Sequence, residues 1–78
     1  MKKVISVKPM SNFTLELEFS NNENRLFDVK PYLNFGIFKE LNDEAYFKNV
    51  TTKFDSICWQ NGQDFSPETL YIKSIPNG

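Results

Sequence analysis

The sequence predicts an α+β domain: a mostly antiparallel sheet of about five short strands, short helices in mid-chain and a helix at the C-terminal end. Three observations carry this. Phe13, Leu15, Leu17 and Phe19 alternate with Thr14, Glu16 and Glu18, the period of two that gives a strand one buried and one wet face. The alternation stops at Pro31, and short apolar clusters follow around Gly36. Ser66-Pro67-Glu68 combines a capping residue, a proline suited to the first helical position and an acid near the positive helix end.

The elements follow in order. Lys3 to Pro9 reads as a first strand, rich in β-branched residues, and Met10 to Asn12 as a turn. Phe13–Phe19 and Asn24–Lys30 read as an antiparallel hairpin across Ser20-Asn21-Asn22-Glu23, since Asn tolerates left-handed angles. In the second of these strands Phe27 and Val29 share one face, Leu26 and Asp28 the other. Pro31-Tyr32-Leu33-Asn34 predicts one helical turn, broken by Gly36, and Ile37–Leu41 a second piece. Asp43 caps a third, Glu44–Lys48, with Ala45, Tyr46 and Phe47 packing inward. None is long enough to persist alone in water, so all must lie across the sheet. Asn49–Phe54 and Ile57-Cys58-Trp59 read as a second hairpin about a tight turn at Asp55-Ser56. Gln60 to Asp64 is a loop. Leu70, Tyr71 and Ile75 form the apolar side of the last helix, which Pro76-Asn77-Gly78 ends.

The chain of 78 residues is expected to form one domain, residues 1–78. A chain this short buries only about 60% of the surface it exposes when unfolded, and ordering it costs roughly 1.5 kcal/mol per residue. The eight Phe, three Tyr and one Trp, each burying roughly 150–250 Å², are therefore assigned to the core. Nine basic residues balance ten acidic ones, which leaves no electrostatic footprint for nucleic acid and little repulsion against self-association. With one cysteine, Cys58, no internal disulfide is possible, although small secreted domains usually rely on such staples. The apolar run after Lys3 is too short for a signal peptide or a membrane span. A cytoplasmic location and no membrane partner are the expectation.

Chemistry is sparse. There is no histidine, which excludes Ser-His-Asp and Cys-His arrangements within one chain and, with a single Cys, the common zinc sites. Gly36, Gly62 and Gly78 are isolated, so there is no phosphate-cradling loop. No cofactor or metal ligand set is predicted. Asp55, Asp64 and Glu68 lie near one another in sequence and could run acid/base chemistry if they converged. The structural reading is preferred: a turn residue, a loop-amide acceptor and a first-turn helix acid. Cys58, between Ile57 and Trp59, reads as an inert, partly buried thiol. Trp59 reads as a core anchor on the face of Ile57, and Asn61-Gly62 as a turn with positive φ. The lysines are scattered among acids, so this chain alone is not expected to bind nucleic acid.

The run Ile57-x-Trp59-x-Asn61-Gly62-x-Asp64-Phe65-x-Pro67-Glu68-x-Leu70-Tyr71 resembles the short bacterial family called domain of unknown function 2442. Upstream, Val4-x-x-Val7, the alternation from Phe13 to Phe19, Arg25-x-x-Asp28 and Phe38-x-x-Leu41 before Phe47-x-x-Val50 are similar too. Asn21-Asn22 stands where the family often has Asp-Gly, and Gln60 where it often has Pro. The resemblance implies a small α+β fold, similar to the N-terminal domain of some helix-turn-helix proteins, and no established activity. Its shared loop residues map to Trp59, Asn61, Gly62, Asp64 and Pro67, as interaction residues or as residues that hold the loop's shape. Members often sit beside a second short protein, which has suggested toxin–antitoxin pairs.

The expected function is a non-catalytic interaction module binding the product of a neighbouring gene, as an accessory or antitoxin-like partner. Two alternatives are a small-ligand binder or enzyme using the Trp59–Glu68 loop, and a nucleic-acid-associated protein acting as a homodimer.

Overall fold

The structure is a computed structural model and describes residues 2–77; the expected chain stop at Pro76-Asn77-Gly78 thus reaches Gly78, outside the described residues. Three strands come first: β1 (Val4–Met10), β2 (Thr14–Phe19) and β3 (Asn24–Asp28). Two 3-10 helices, Lys30–Tyr32 and Gly36–Asn42, lead into α1 (Glu44–Phe47). Then come β4 (Thr51–Lys53), β5 (Ser56–Cys58), β6 (Asp64–Phe65), α2 (Pro67–Lys73) and β7 (Ile75–Pro76). Among the described residues no helix is long and apolar enough to cross a membrane.

All strand pairings are antiparallel. They form two sheets, β1-β2-β3-β7 and β4-β5-β6, where the sequence predicted a single sheet of about five strands. The five predicted strands divide as β1–β3 and β4–β5, and β6 and β7 each extend one of the two sheets. Each has two residues, too few to show a period. Asp64, expected in a loop, pairs with Cys58, and Ile75, expected on the last helix, pairs with Leu26.

The period of two in β2 sorts its side chains as expected. Leu15, Leu17 and Phe19 are fully buried, while Thr14, Glu16 and Glu18 lie on the opposite face. There the Ser6 hydroxyl donates to Glu18 and the Asn77 amide to Glu16. The inner face meets Phe27, Val29, Leu41, Phe47, Ile57, Trp59, Phe65 and Leu70 in one core. Aromatic rings dominate it: Phe65 packs on Phe27, Tyr32 and Phe38 with centroids 4.9–5.1 Å apart. In α1 Phe47 is buried and Tyr46 half-buried, but Ala45, expected inside, is exposed, because a four-residue helix turns only one narrow face inward.

One turn design appears twice. Phe19 donates to Glu23 O and Asn22 to Phe19 O; Trp59 donates to Gln63 O and Gly62 to Trp59 O. Each is a three-residue hairpin loop whose last residue is left-handed, Asn22 at φ 70° and Gly62 at φ 102°. Asn22 therefore does the work of a glycine.

The β4–β5 turn differs from expectation. Its central residues are Phe54 and Asp55, at φ 50° and 66°, and Ser56 already belongs to β5. Two left-handed central residues favour Asn-Gly, whereas a bulky residue there is a backbone outlier. Phe54→Asn is expected to raise stability by about 1 kcal/mol, read as a higher urea midpoint at unchanged slope.

Candidate functional site

The short second sheet positions the residues singled out by sequence. Its register pairs Thr51 with Cys58, Cys58 with Asp64 and Lys53 with Ser56. Paired residues share a face, so Thr51, Lys53, Cys58 and Asp64 look outward. Ile57 and Phe65 look inward and are buried.

Trp59 is 2% exposed. Its indole Nε1 donates to Phe47 O at 2.9 Å, and its ring lies 5.9 Å from Phe47 and 6.3 Å from Phe65. Asn61 turns back onto the second 3-10 helix: its Nδ2 donates to both Glu40 oxygens at 2.9 and 2.8 Å, and its backbone N–H donates to the Tyr46 hydroxyl at 2.9 Å. Gly62 supplies the left-handed residue of the turn.

The hub of this loop is Gln63, which the sequence reading passed over. It is 1% exposed. Its Oε1 accepts from the Tyr46 hydroxyl at 2.7 Å, and its Nε2 donates to Ile37 O at 2.8 Å and to Glu40 at 3.0 Å. The signal was present in the alternation: if Phe65 faces the core, so does Gln63 two residues earlier. Among the described residues no buried side-chain polar atom lacks a partner, as a stable interior requires.

Asp64 was expected to accept loop amides. Instead its side chain is exposed in β6, because the strand's backbone pairs with β5 and the pleat aims the carboxylate outward. It borders an open groove of about 500 Å³ on the outer face, together with Lys53, Phe54, Cys58, Gly62 and Pro67. Cys58 is half-buried there, its Sγ 3.8 Å from the Thr51 hydroxyl. Glu68 borders a different groove, along α2 with Lys2, Tyr71 and Ile72. Asp55 lies 3.8 Å from Lys3. The three carboxylates close in sequence thus occupy three separate surroundings, and among the described residues no group of three metal-ligating side chains assembles.

A second polar cluster, built around the only arginine, ties α2 to the first sheet. Arg25 Nε donates to Ser74 Oγ at 2.7 Å, Nη2 to Ser74 O at 2.9 Å and Nη1 to Glu23 at 2.9 Å. Its guanidinium lies 4.4 Å from the Tyr71 ring centroid, and the Tyr71 hydroxyl donates to Glu23 at 2.6 Å. This clamp holds Ser74 in extended backbone, which ends the helix at Lys73 and turns Ile75 into strand.

Both clusters act on acid titration. The Tyr71 hydrogen bond, followed by those of Asn21 and Arg25, holds the Glu23 carboxyl below its ordinary 4.5, and the same bond raises the Tyr71 phenol. Asn61 and Gln63 lower Glu40 in the same way. A carboxyl depressed by folding binds protons more readily unfolded. Its contribution is complete above the unfolded value and is lost as pH falls through the folded one. We predict that the urea midpoint drops as pH falls below 4.5, and that a double Glu23→Gln, Glu40→Gln variant shows a shallower drop over that range.

No curated protein and no solved structure matches the chain. The family model described as Protein of unknown function (DUF2442) matches residues 4–76, a span that holds both sheets, the Gln63 hub and the Arg25 clamp, and the protein belongs to that family.

Proposed function

We propose that the protein is a non-catalytic protein-interaction domain, which meets its partner with the β4–β5 turn and the groove beside it. One observation carries this: Phe54 is 88% exposed at φ 50°. Nothing in the fold needs a ring there. Among the described residues its one aromatic or cation–π contact is the neighbouring Lys53 Nζ, 5.4 Å from the ring centroid. An exposed aromatic in a backbone state that disfavours it points to a role outside the fold, and aromatic anchors dominate protein interfaces.

The absence of histidine and the separation of Asp55, Asp64 and Glu68 give the enzymatic reading no constellation to work with. Nine basic residues are balanced by ten acidic ones, and Lys3 and Lys30 lie against Asp55 and Asp28, which speaks against the strongly basic face that nucleic acid needs. A single free cysteine suits the cytoplasm. The partner we name is the product of the adjacent gene, with this chain as the accessory or antitoxin-like half.

The test is co-expression with that product. Co-elution with the native chain and separation with Phe54→Asp are the expected results. Two separate peaks for the native chain would refute the reading.

A further inference from the structure

We propose that Asn61-Gly62 is a site of spontaneous deamidation, in which the Asn61 side chain closes onto the Gly62 nitrogen, and that the second 3-10 helix, Gly36–Asn42, is the gate that holds this reaction back. The reaction needs no partner at Phe54.

The dipeptide supplies the chemistry. A glycine after Asn leaves the attacking nitrogen with no side chain beside it. A Cβ added at Gly62 would meet nothing within 4 Å, and both residues are exposed, so water and hydroxide reach them. Hydroxide takes the Gly62 amide proton. The nitrogen then bonds to Asn61 Cγ as the Cγ–Nδ2 bond breaks, and Nδ2 leaves as ammonia with a proton from water. Water next opens the cyclic imide. Attack at Cγ leaves an ordinary acid at position 61. Attack at the backbone carbonyl leaves an isoaspartyl link, whose main chain runs through Cβ and Cγ. By either route one ammonia leaves, one water is taken up and nothing is oxidised.

The native fold holds both nitrogens that react. The Gly62 N–H donates to Trp59 O at 3.1 Å, so its deprotonation must break the closure of the turn. Asn61 Nδ2 donates to both Glu40 oxygens at 2.9 and 2.8 Å. That grip fixes the leaving group and sets a carboxylate where a second negative charge would form. The Asn61 backbone N–H is pinned as well, on the Tyr46 hydroxyl at 2.9 Å. Ring closure needs freedom to bring nitrogen and carbon together. Glu40 belongs to the 3-10 helix, which Gln63 ties through Ile37 O and Glu40, so release of that helix frees the amide.

The product does not rebuild the gate. An acid at position 61 has no side-chain N–H to offer and sets like charges together at Glu40. The isoaspartyl link puts an extra carbon into the main chain just before Gly62, in a tight turn that positions the buried Gln63. A molecule that has opened and reacted therefore stays loosened at Gly36–Asn42.

The test is peptide mapping of the full chain aged at mildly alkaline pH; tryptic cleavage after Lys73 keeps Asn61-Gly62 apart from Asn77-Gly78. Imide and acid at position 61 should accumulate at least about tenfold more slowly in the native chain than in urea, because only the opened fraction reacts. Glu40→Ala should raise the native rate about three- to fivefold, and Glu40→Gln, which keeps the shape and drops the charge, about twofold. Ser74→Ala, which loosens the Arg25 clamp and leaves the loop intact, should not change it. Amides of Gly36–Asn42 should exchange faster in the isolated isoaspartyl fraction than in fresh protein. A native rate equal to that in urea, Glu40 variants no faster than the native chain, or equal acceleration by Glu40→Ala and Ser74→Ala would overturn the gate. An isoaspartyl fraction that exchanges as slowly as fresh protein would overturn the lasting loosening.

Discussion

Replacing Trp59 with Ala is expected to remove most of the protein's stability and to leave a large unfolded fraction at 25 °C. At roughly 0.05–0.15 kcal/mol per residue, a chain of 78 residues has about 4–12 kcal/mol in total. Truncating a buried Trp costs about 3–5 kcal/mol. The indole is 2% exposed and touches both Phe47 and Phe65, so the cavity would open between α1 and the second sheet. The Phe47 carbonyl, which accepts from Nε1, would lose its partner at a further cost of about 1–3 kcal/mol. Trp59→Phe keeps a six-membered ring in the core but removes the donor and the rest of the indole, so its loss should fall between the cost of the unpaired Phe47 carbonyl, about 1–3 kcal/mol, and that of Trp59→Ala. Circular dichroism through a urea titration reads both. A Trp59→Ala chain within about 1 kcal/mol of the native one would mean that the second sheet does not depend on this anchor.

The second large effect is expected at Gln63. Gln63→Leu keeps the volume and removes every hydrogen bond of the hub. Tyr46 loses its acceptor and Ile37 O its donor, and groups of this kind left unpaired cost about 1–3 kcal/mol each. A loss of about 2–4 kcal/mol is expected, with the second 3-10 helix, Gly36–Asn42, detaching first in hydrogen exchange. Asn61→Ala, in contrast, breaks bonds to an exposed Glu40 and should cost less than about 1 kcal/mol. The residue with no place in the family resemblance is thus expected to outweigh one that has a place in it. Equal losses at both positions would show that the loop is held from its surface.

On the proposed reading, stability and binding pull in opposite directions at Phe54. A turn optimised for the fold would carry Asn or Gly where this chain carries an exposed ring. A stabilised Phe54→Asn variant that no longer co-elutes with the adjacent gene's product would display that exchange directly.

By itself the sequence determined whatever depends on near neighbours. The inward and outward faces of β2 follow from alternation. The Asp43 and Ser66 caps follow from side chains that reach backbone amides two and three residues ahead. The left-handed Gly62 follows from its freedom of φ. Tertiary structure decided the rest. It set β1–β3 and β4–β5 in separate sheets and added β6 and β7, whose two residues gain order only from partners supplied by β5 and β3. Gln63 reaches Ile37 across 26 positions, and Arg25 reaches Ser74 across 49. The dispersal of Asp55, Asp64 and Glu68, close in sequence, was decided there as well. Periods and caps are local backbone chemistry, whereas pairings of this kind form only when the whole core has closed and brought distant groups within hydrogen-bond reach.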